Sequence, residues 1–412
     1  MSFPIKTETA CQYKWTWSTI FLSMGTTSSC HRCKGWGMDI TGLKDFHNHP
    51  GKIHDRQKML KGEWPGNGCE YCRDIEQAGG LSERVDFIND SPVTPPEIEA
   101  GDLTATHVTP RILEVYFSNV CNQACVYCGP QFSSQIAAEI TKHGALENIY
   151  DLDGSYKPHK DYEMYKRQFW EWMEEHSTSL YRFHVLGGEP LYQKEFDECL
   201  NFFMNKSHPD LDWNIFTNLK HPKEKLKEKL DIMETLINEK RLKNVSFIVS
   251  QDCWGQEAEY ARYGTNMEAW EENFNLLLEY PWLKVNVHST LTCVTLPSAY
   301  KLAEKIKEWR KKKDVSHGWN IIVHPSFFAP EIFGKHMEDY FTKLIETVGD
   351  NNRHAAGYLK GFRDKVVNKP VNVAELIRLR DVLDKLDERR GLNWRETYPW
   401  MEKIMKDTII HG

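Results

Sequence analysis

The chain has 412 residues, 40% of them hydrophobic, enough for two or three domains with a sizeable core. Its formal net charge of −7 argues against a general nucleic-acid binder, which is usually basic. No run approaches the roughly 18 apolar residues of a membrane span, and the opening MSFPIKTETACQYKW lacks an apolar core of signal-peptide length, so a cytoplasmic location and no membrane partner are expected.

The first hundred residues are irregular and hold five of the eleven cysteines: Cys11, the pair Cys30 and Cys33 in CHRC, and the pair Cys69 and Cys72 in CEYC. Gly- and Pro-containing stretches such as HNHPGK and EWPGNG lie between the pairs, and such a segment needs a metal staple to hold a core. In a reducing compartment, thiols clustered at ligand spacing favour metal over disulfides. NDSPVTPPEIEAGD (89–102) reads as a linker.

From residue 111 short β-rich runs alternate with amphipathic helical stretches. Strands are predicted at 111–117, 181–190, 213–218, 244–252, 284–292 and 318–325, with helices such as 223–240 and 298–313 between them. That alternation implies parallel strands joined by helical crossovers, and six such units suggest an open, incomplete barrel. The fold class expected is α/β, a partial (β/α)6 barrel over 101–330, preceded by an irregular metal-binding domain (1–100) and followed by a helical extension (331–412). In that extension helices are predicted over 331–348 and about 373–388.

The run CNQACVYC places Cys121, Cys125 and Cys128 within eight residues, directly after the first strand of this unit. Three thiolates can hold three irons of a [4Fe–4S] cube and leave the fourth iron open to a small-molecule chelate. A zinc ion with a remote fourth ligand is the competing reading. A loop after the first strand of an α/β barrel lies at the C-terminal mouth, where such barrels do chemistry.

This CxxxCxxC run, with the aromatic Tyr127 before its last cysteine, resembles the signature of the radical S-adenosylmethionine (SAM) superfamily. GGEP (Gly187, Gly188, Glu189, Pro190) resembles the glycine-rich motif that receives the SAM amino group. Ser250 and Asp252 stand where that family places polar contacts to the ribose or methionine part. Arg262, in ARYG, matches the arginine that pairs with the SAM carboxylate, a pairing suited to a bidentate guanidinium. FTN (216–218) is a weaker match to a third-strand motif. The resemblance covers roughly residues 108–325. It implies reductive cleavage of SAM at the cluster, a 5′-deoxyadenosyl radical, and hydrogen abstraction from a substrate that is a peptide or a small molecule. It also implies a reductant such as flavodoxin or ferredoxin.

Two readings compete for the N-terminal thiols. CHRC and CEYC form a CxxC…CxxC layout familiar from zinc. Alternatively, Cys11, thirteen residues, Gly25, four residues and Cys30 resemble the opening of the SPASM and twitch extensions of radical SAM enzymes, several of them phage-encoded. That resemblance implies an auxiliary [4Fe–4S] cluster on Cys11, Cys30, Cys69 and Cys72, with Cys33 a substitute or bystander. The chain departs from the pattern in one respect, since these extensions more often follow the barrel. His47, His49 and His54 are expected on a surface loop. Cys199, Cys253 and Cys293 are expected as core thiols, with Cys253 the one placed to meet substrate.

Overall fold

The computed structural model describes residues 3–33, 35–38, 45–77, 79, 81–85, 93–146, 156–349 and 353–411. All six predicted strands are present: β4 (Ile112–Tyr116), β6 (Arg182–Leu186), β7 (His208–Thr217), β8 (Leu242–Ser250), β10 (Lys284–Leu291) and β11 (Val315–Ile321). They lie side by side in chain order, each parallel to the next. The helices Tyr162–His176, Lys194–Asn205, Lys223–Asn238, Met267–Leu278 and Leu296–Trp309 form the crossovers between them.

Period-two alternation gives the two faces of this sheet opposite chemistry. Val115, Phe183, Ile215, Phe247 and Val287 point to one side and form one core with Phe169, Phe203, Leu230, Phe274 and Ile306 of the crossover helices. The opposite face carries Glu114, His184, Asn214 and Ser246, which stand next to one another in register across four strands.

The N-terminal segment is less irregular than its sequence pattern suggests. It supplies β1 (Trp17–Phe21), β2 (Thr26–Ser28) and β3 (Trp36–Gly37), and these extend the sheet to nine strands. β1 pairs parallel with β4, placing Trp17 beside Ile112 and Thr19 beside Glu114. His47 is not on a surface loop: it is 3% exposed, its ring is bonded to Ser18 and the Trp15 carbonyl, and Arg56 packs on it. His49 accepts from the Gly51 N–H at the start of the helix Pro50–Leu60, and His54 is exposed. Of the expected linker 89–102, residues 89–92 lie outside the described residues, and Pro96–Glu99 forms a short helix.

The predicted helix over 331–348 is broken. Pro330–Met337 is a 3-10 stretch interrupted at Gly334 (φ 51°, ψ −127°), and the α-helix proper is Glu338–Val348. Glycine is required at the break, because a Cβ there would sit 2.3 Å from the Lys369 carbonyl oxygen. Helices Arg353–Val367, Val373–Arg390 and Pro399–His411 complete the extension, and Phe341, Leu344, Leu376, Leu383 and Trp394 share a second core with Leu291 and Leu296. No helix among the described residues is long and apolar enough to cross a membrane.

Candidate metal centres

The loop carrying Cys121, Cys125 and Cys128 leaves the C-terminal end of β4 and is closed by its own polar residues. Asn119 Nδ2 donates to the Pro130 carbonyl (2.8 Å), Ser133 Oγ to the Gln123 carbonyl (2.7 Å), and the Cys121 N–H donates to Ser134 Oγ (3.1 Å). Ser133 also caps the helix Ser134–His143 by accepting from the Ile136 N–H. Within the loop, β5 (Ala124–Cys125) pairs antiparallel with β9 (Arg262–Tyr263), and the Val126 N–H donates to the Ala261 carbonyl (2.9 Å). The cysteine run and the ARYG segment are thus one backbone unit.

Cys121 and Cys125 are 9% exposed, and the three thiols are close enough for each charge to disfavour another. Burial pushes Cys121 up to about 12, and it raises Cys125 and Cys128 as well. These are protonated thiols at neutral pH that a metal would have to deprotonate. Asn218 Nδ2 stands 3.8 Å from Cys121 Sγ, and Arg262 Nη1 stands 3.9 Å from Cys125 Sγ.

GGEP ends β6 directly beneath this loop. A Cβ on Gly188 (φ +55°) would fall 2.2 Å from the Val120 carbonyl oxygen, so glycine here lets the end of β6 touch the backbone just before Cys121. Gly188→Ala should lower stability by at least about 2 kcal/mol, combining the left-handed strain with a backbone clash; a urea melt checks this. Gly187 packs against Tyr116, and Pro190 opens the turn Pro190–Tyr192.

Glu189 is 1% exposed and accepts from the Leu191 N–H (3.1 Å), Thr217 Oγ1 (2.7 Å) and the Asn218 N–H (2.5 Å). It thereby ties the end of β6 to the turn after β7, the FTN stretch. Burial outweighs these hydrogen bonds and raises its pKa from 4.5 to about 7. A carboxyl with a raised folded pKa keeps its proton longer in the folded state. Its contribution is full below about pH 4.5 and is lost as pH rises to about 7. Stability should fall by about 3 kcal/mol across that window from this group, and Glu189→Gln should flatten the fall in a pH series of denaturant melts.

Asp252 and Arg262 form a buried ion pair, 1% and 9% exposed at the side chain, with contacts of 2.9 and 3.2 Å. Asp252 also accepts from the Thr290 N–H (2.8 Å) and from the Tyr127 hydroxyl. The three residues that sequence reading places around a ligand therefore lock one another, binding the cysteine loop to the ends of β8 and β10. Ser250 ends β8, half-buried and opposite His288 in register. Cys253 and Cys293 are fully buried and Cys199 is 1% exposed, as expected of core thiols.

All five N-terminal cysteines line one small pocket together with Lys14 and Arg84. Cys33 is in the middle of the group: its sulfur is 3.5 Å from Cys30 Sγ and 3.2 Å from Lys14 Nζ, and it is hydrogen-bonded to the Cys69 thiol. Hydrogen bonds from Cys30 and Cys69, with Lys14 beside it, lower the Cys33 pKa, while burial pushes Cys11 up to about 12. Lys14 is buried and pairs with Asp55 at 2.6 Å; burial opposes its charge, but Cys33, Cys69 and Asp55 outweigh it and raise its pKa. Sequence reading missed Lys14. The signal was a lysine three residues after Cys11, between Tyr13 and Trp15, in a stretch too apolar for a solvated cation.

Among the described residues, no three His, Cys, Asp or Glu side chains close around a point as they would about one bare ion. No protein-family model matches the chain, and no curated protein is similar to it.

Proposed function

We propose that the chain is a radical SAM enzyme, with a partial (β/α)6 barrel formed by β4, β6, β7, β8, β10 and β11. The observation that carries this reading is the placement of three mutually interacting thiols on the loop after the first of six sequential parallel strands, gripped by the ARYG segment beyond the fourth. The donor set fits an iron–sulfur cube better than one ion. A tetrahedral zinc with bonds of about 2.3 Å needs its sulfurs about 3.8 Å apart, whereas a cube spreads its thiolates one to a corner. Cys121, Cys125 and Cys128 would each hold one iron, leaving the fourth for the amino and carboxylate groups of SAM.

When bound, the cluster with SAM supplies reductive cleavage to methionine and a 5′-deoxyadenosyl radical that takes a hydrogen atom from substrate. The chain's own residues orient and enclose. Gly187 and Gly188 bring the end of β6 against the cysteine loop. Ser250 and His288 offer polar groups on the open face. The Asp252–Arg262 pair holds a fixed cation beside Cys125, where it favours the thiolate. The polar row Glu114, His184, Asn214 and Ser246 is suited to a hydrogen-bonding substrate, a peptide or a small polar molecule. His184 in particular has no partner at either ring nitrogen among the described residues and is stacked on Trp17 at 4.9 Å.

The N-terminal pocket would hold a second centre, an auxiliary [4Fe–4S] cluster drawing on Cys11, Cys30, Cys69 and Cys72. The 3.5 Å Cys30–Cys33 spacing favours a second reading for that pocket alone, a single zinc ion on the CxxC pairs. Anaerobic reconstitution with iron and sulfide, followed by SAM and dithionite, tests the main proposal. Methionine and 5′-deoxyadenosine should appear in equal amounts, and intact SAM with an iron-loaded protein would overturn it.

A further inference from the structure

We propose that the open face of the sheet is built to hold a neutral para-hydroxyphenyl group of the substrate, its ring between apolar side chains and its hydroxyl on the polar row beside His184. This rests on the reading of the chain as a radical SAM enzyme whose substrate enters that face. One wall comes from the N-terminal segment: β1 pairs with β4 in register and adds Trp17, Thr19 and Phe21 to the face.

The face has two layers. The deeper one is the row Thr19, Glu114, His184, Asn214 and Ser246. Two residues further along each strand, toward the cysteine loop, stand Phe21, Tyr116, Leu186, Phe216 and Ile248. Phe21 stacks on Tyr116 at 4.5 Å, and the Phe216 ring lies 6.1 Å from that of His184, so the apolar layer sits directly above the polar one. All five apolar residues, with Asn214 and Ser246 below them, are half-buried although strands flank them on both sides. The face therefore opens on a cavity. Two residues along a strand span about 6.6 Å, close to the length of a para-hydroxyphenyl group. A ring seated in the upper layer would place its hydroxyl on the lower one and leave the carbons attached to it toward the cysteine loop.

The deeper layer is polar, buried and short of partners. His184 is 6% exposed, and neither ring nitrogen is hydrogen-bonded among the described residues. Trp17, stacked on it at 4.9 Å, fixes the plane of the ring. Burial, with Arg182 nearby, lowers the His184 pKa to about 3, so the imidazole is neutral and has one donor and one acceptor to offer. Glu114 is 4% exposed, accepts from Thr19 Oγ1 at 2.9 Å, and is raised by burial. The row contains no lysine or arginine, so a carboxylate reaching it would be buried without a counter-charge. A phenolic hydroxyl is donor and acceptor at once and satisfies an imidazole nitrogen without bringing charge.

The test is a saturation-transfer NMR titration of the full chain, without iron or SAM, with para-cresol, toluene, para-toluate and para-methylbenzylamine as probes. Para-cresol should bind about five-fold tighter than toluene, the increment of one hydrogen bond. The anionic and cationic probes should each bind about ten-fold more weakly than para-cresol. His184→Phe keeps a ring against Trp17 and removes both nitrogens. It should erase the preference for para-cresol over toluene and leave the thermal midpoint unchanged or higher, because two unpartnered polar atoms are gone. Ile248→Trp fills the upper layer and should abolish binding of both; circular dichroism checks that it folds, and His184→Phe carries the test if it does not. Absent para-cresol binding, equal or tighter binding of a charged probe, a preference that persists in His184→Phe, a lowered midpoint in that variant, or binding that survives Ile248→Trp would each overturn the proposal. A chain that cleaves SAM but ignores para-cresol would overturn it and leave the enzyme reading standing.

Discussion

A chain carrying Cys121→Ala, Cys125→Ala and Cys128→Ala together should bind about four fewer irons than the wild type, falling from about eight to about four when both centres are cubes. It should also lose SAM cleavage altogether. The physical reason is that the three thiols have no substitutes: the side chains hydrogen-bonded to their sulfurs, Gln123, Asn218 and Arg262, are two amides and a permanent cation. The core should survive, because the loop is held by Asn119, Ser133, Ser134 and the short β5–β9 pairing, not by the sulfurs. Iron and sulfide analysis with a thermal melt checks both parts. A wild type that binds only about four irons, all lost in the variant, would leave the cysteine loop as the one cluster site and make the N-terminal pocket a zinc site or empty.

Arg262→Ala should cost about 3–5 kcal/mol, more than any other single substitution at the site, because it strands a carboxylate in the interior. Asp252 would keep the Thr290 N–H and the Tyr127 hydroxyl but lose its only ion-pair partner among the described residues. Asp252→Asn combined with Arg262→Met should be less destabilised than Arg262→Ala alone, since an unpaired buried charge costs more than an absent pair. Equal losses in the single and double variants would mean that the arginine acts by packing alone. Iron content should fall in both, because the ARYG strand that grips Cys125 depends on this pair.

Three of the six sequential strands, β7, β8 and β10, were legible because each carries its own alternation: Trp213, Ile215 and Thr217 inward against Asp212, Asn214 and Phe216, and likewise along β8 and β10. β1 was hidden. WSTIF is short, lies among thiols, and acquires its meaning only from pairing with Ile112–Tyr116 far along the chain. The two-residue strands β5 and β9 have no period to read. Cys121, Cys125 and Cys128 were found from spacing, and Asp252 and Arg262 were singled out, but as ligand contacts; that they meet each other depends on how the ends of β8 and β10 come together. Cys33 looked dispensable in the sequence because a four-thiol set was complete without it. In space it touches Cys30, Cys69 and Lys14. The break at Gly334 followed from a contact with Lys369, which no helical periodicity reveals.

The parallel pairing of β1 with β4 also sets an order of assembly. During synthesis Trp17–Phe21 emerges before Ile112–Tyr116 and has only β2 to lean on while that partner is still unmade. Antiparallel β1–β2 is a hairpin-scale contact and closes early; the parallel contact is non-local and must wait for the loop between to be threaded and paid out. Until then five cysteines and the buried cations Lys14, Lys52 and Arg56 have no sheet to cover them. The N-terminal segment is therefore made before its partner strand and secured only after it. A chain shortened by its first hundred residues would expose the edge of β4, a strand whose Ile112, Leu113 and Val115 are wholly buried, to pairing with other chains.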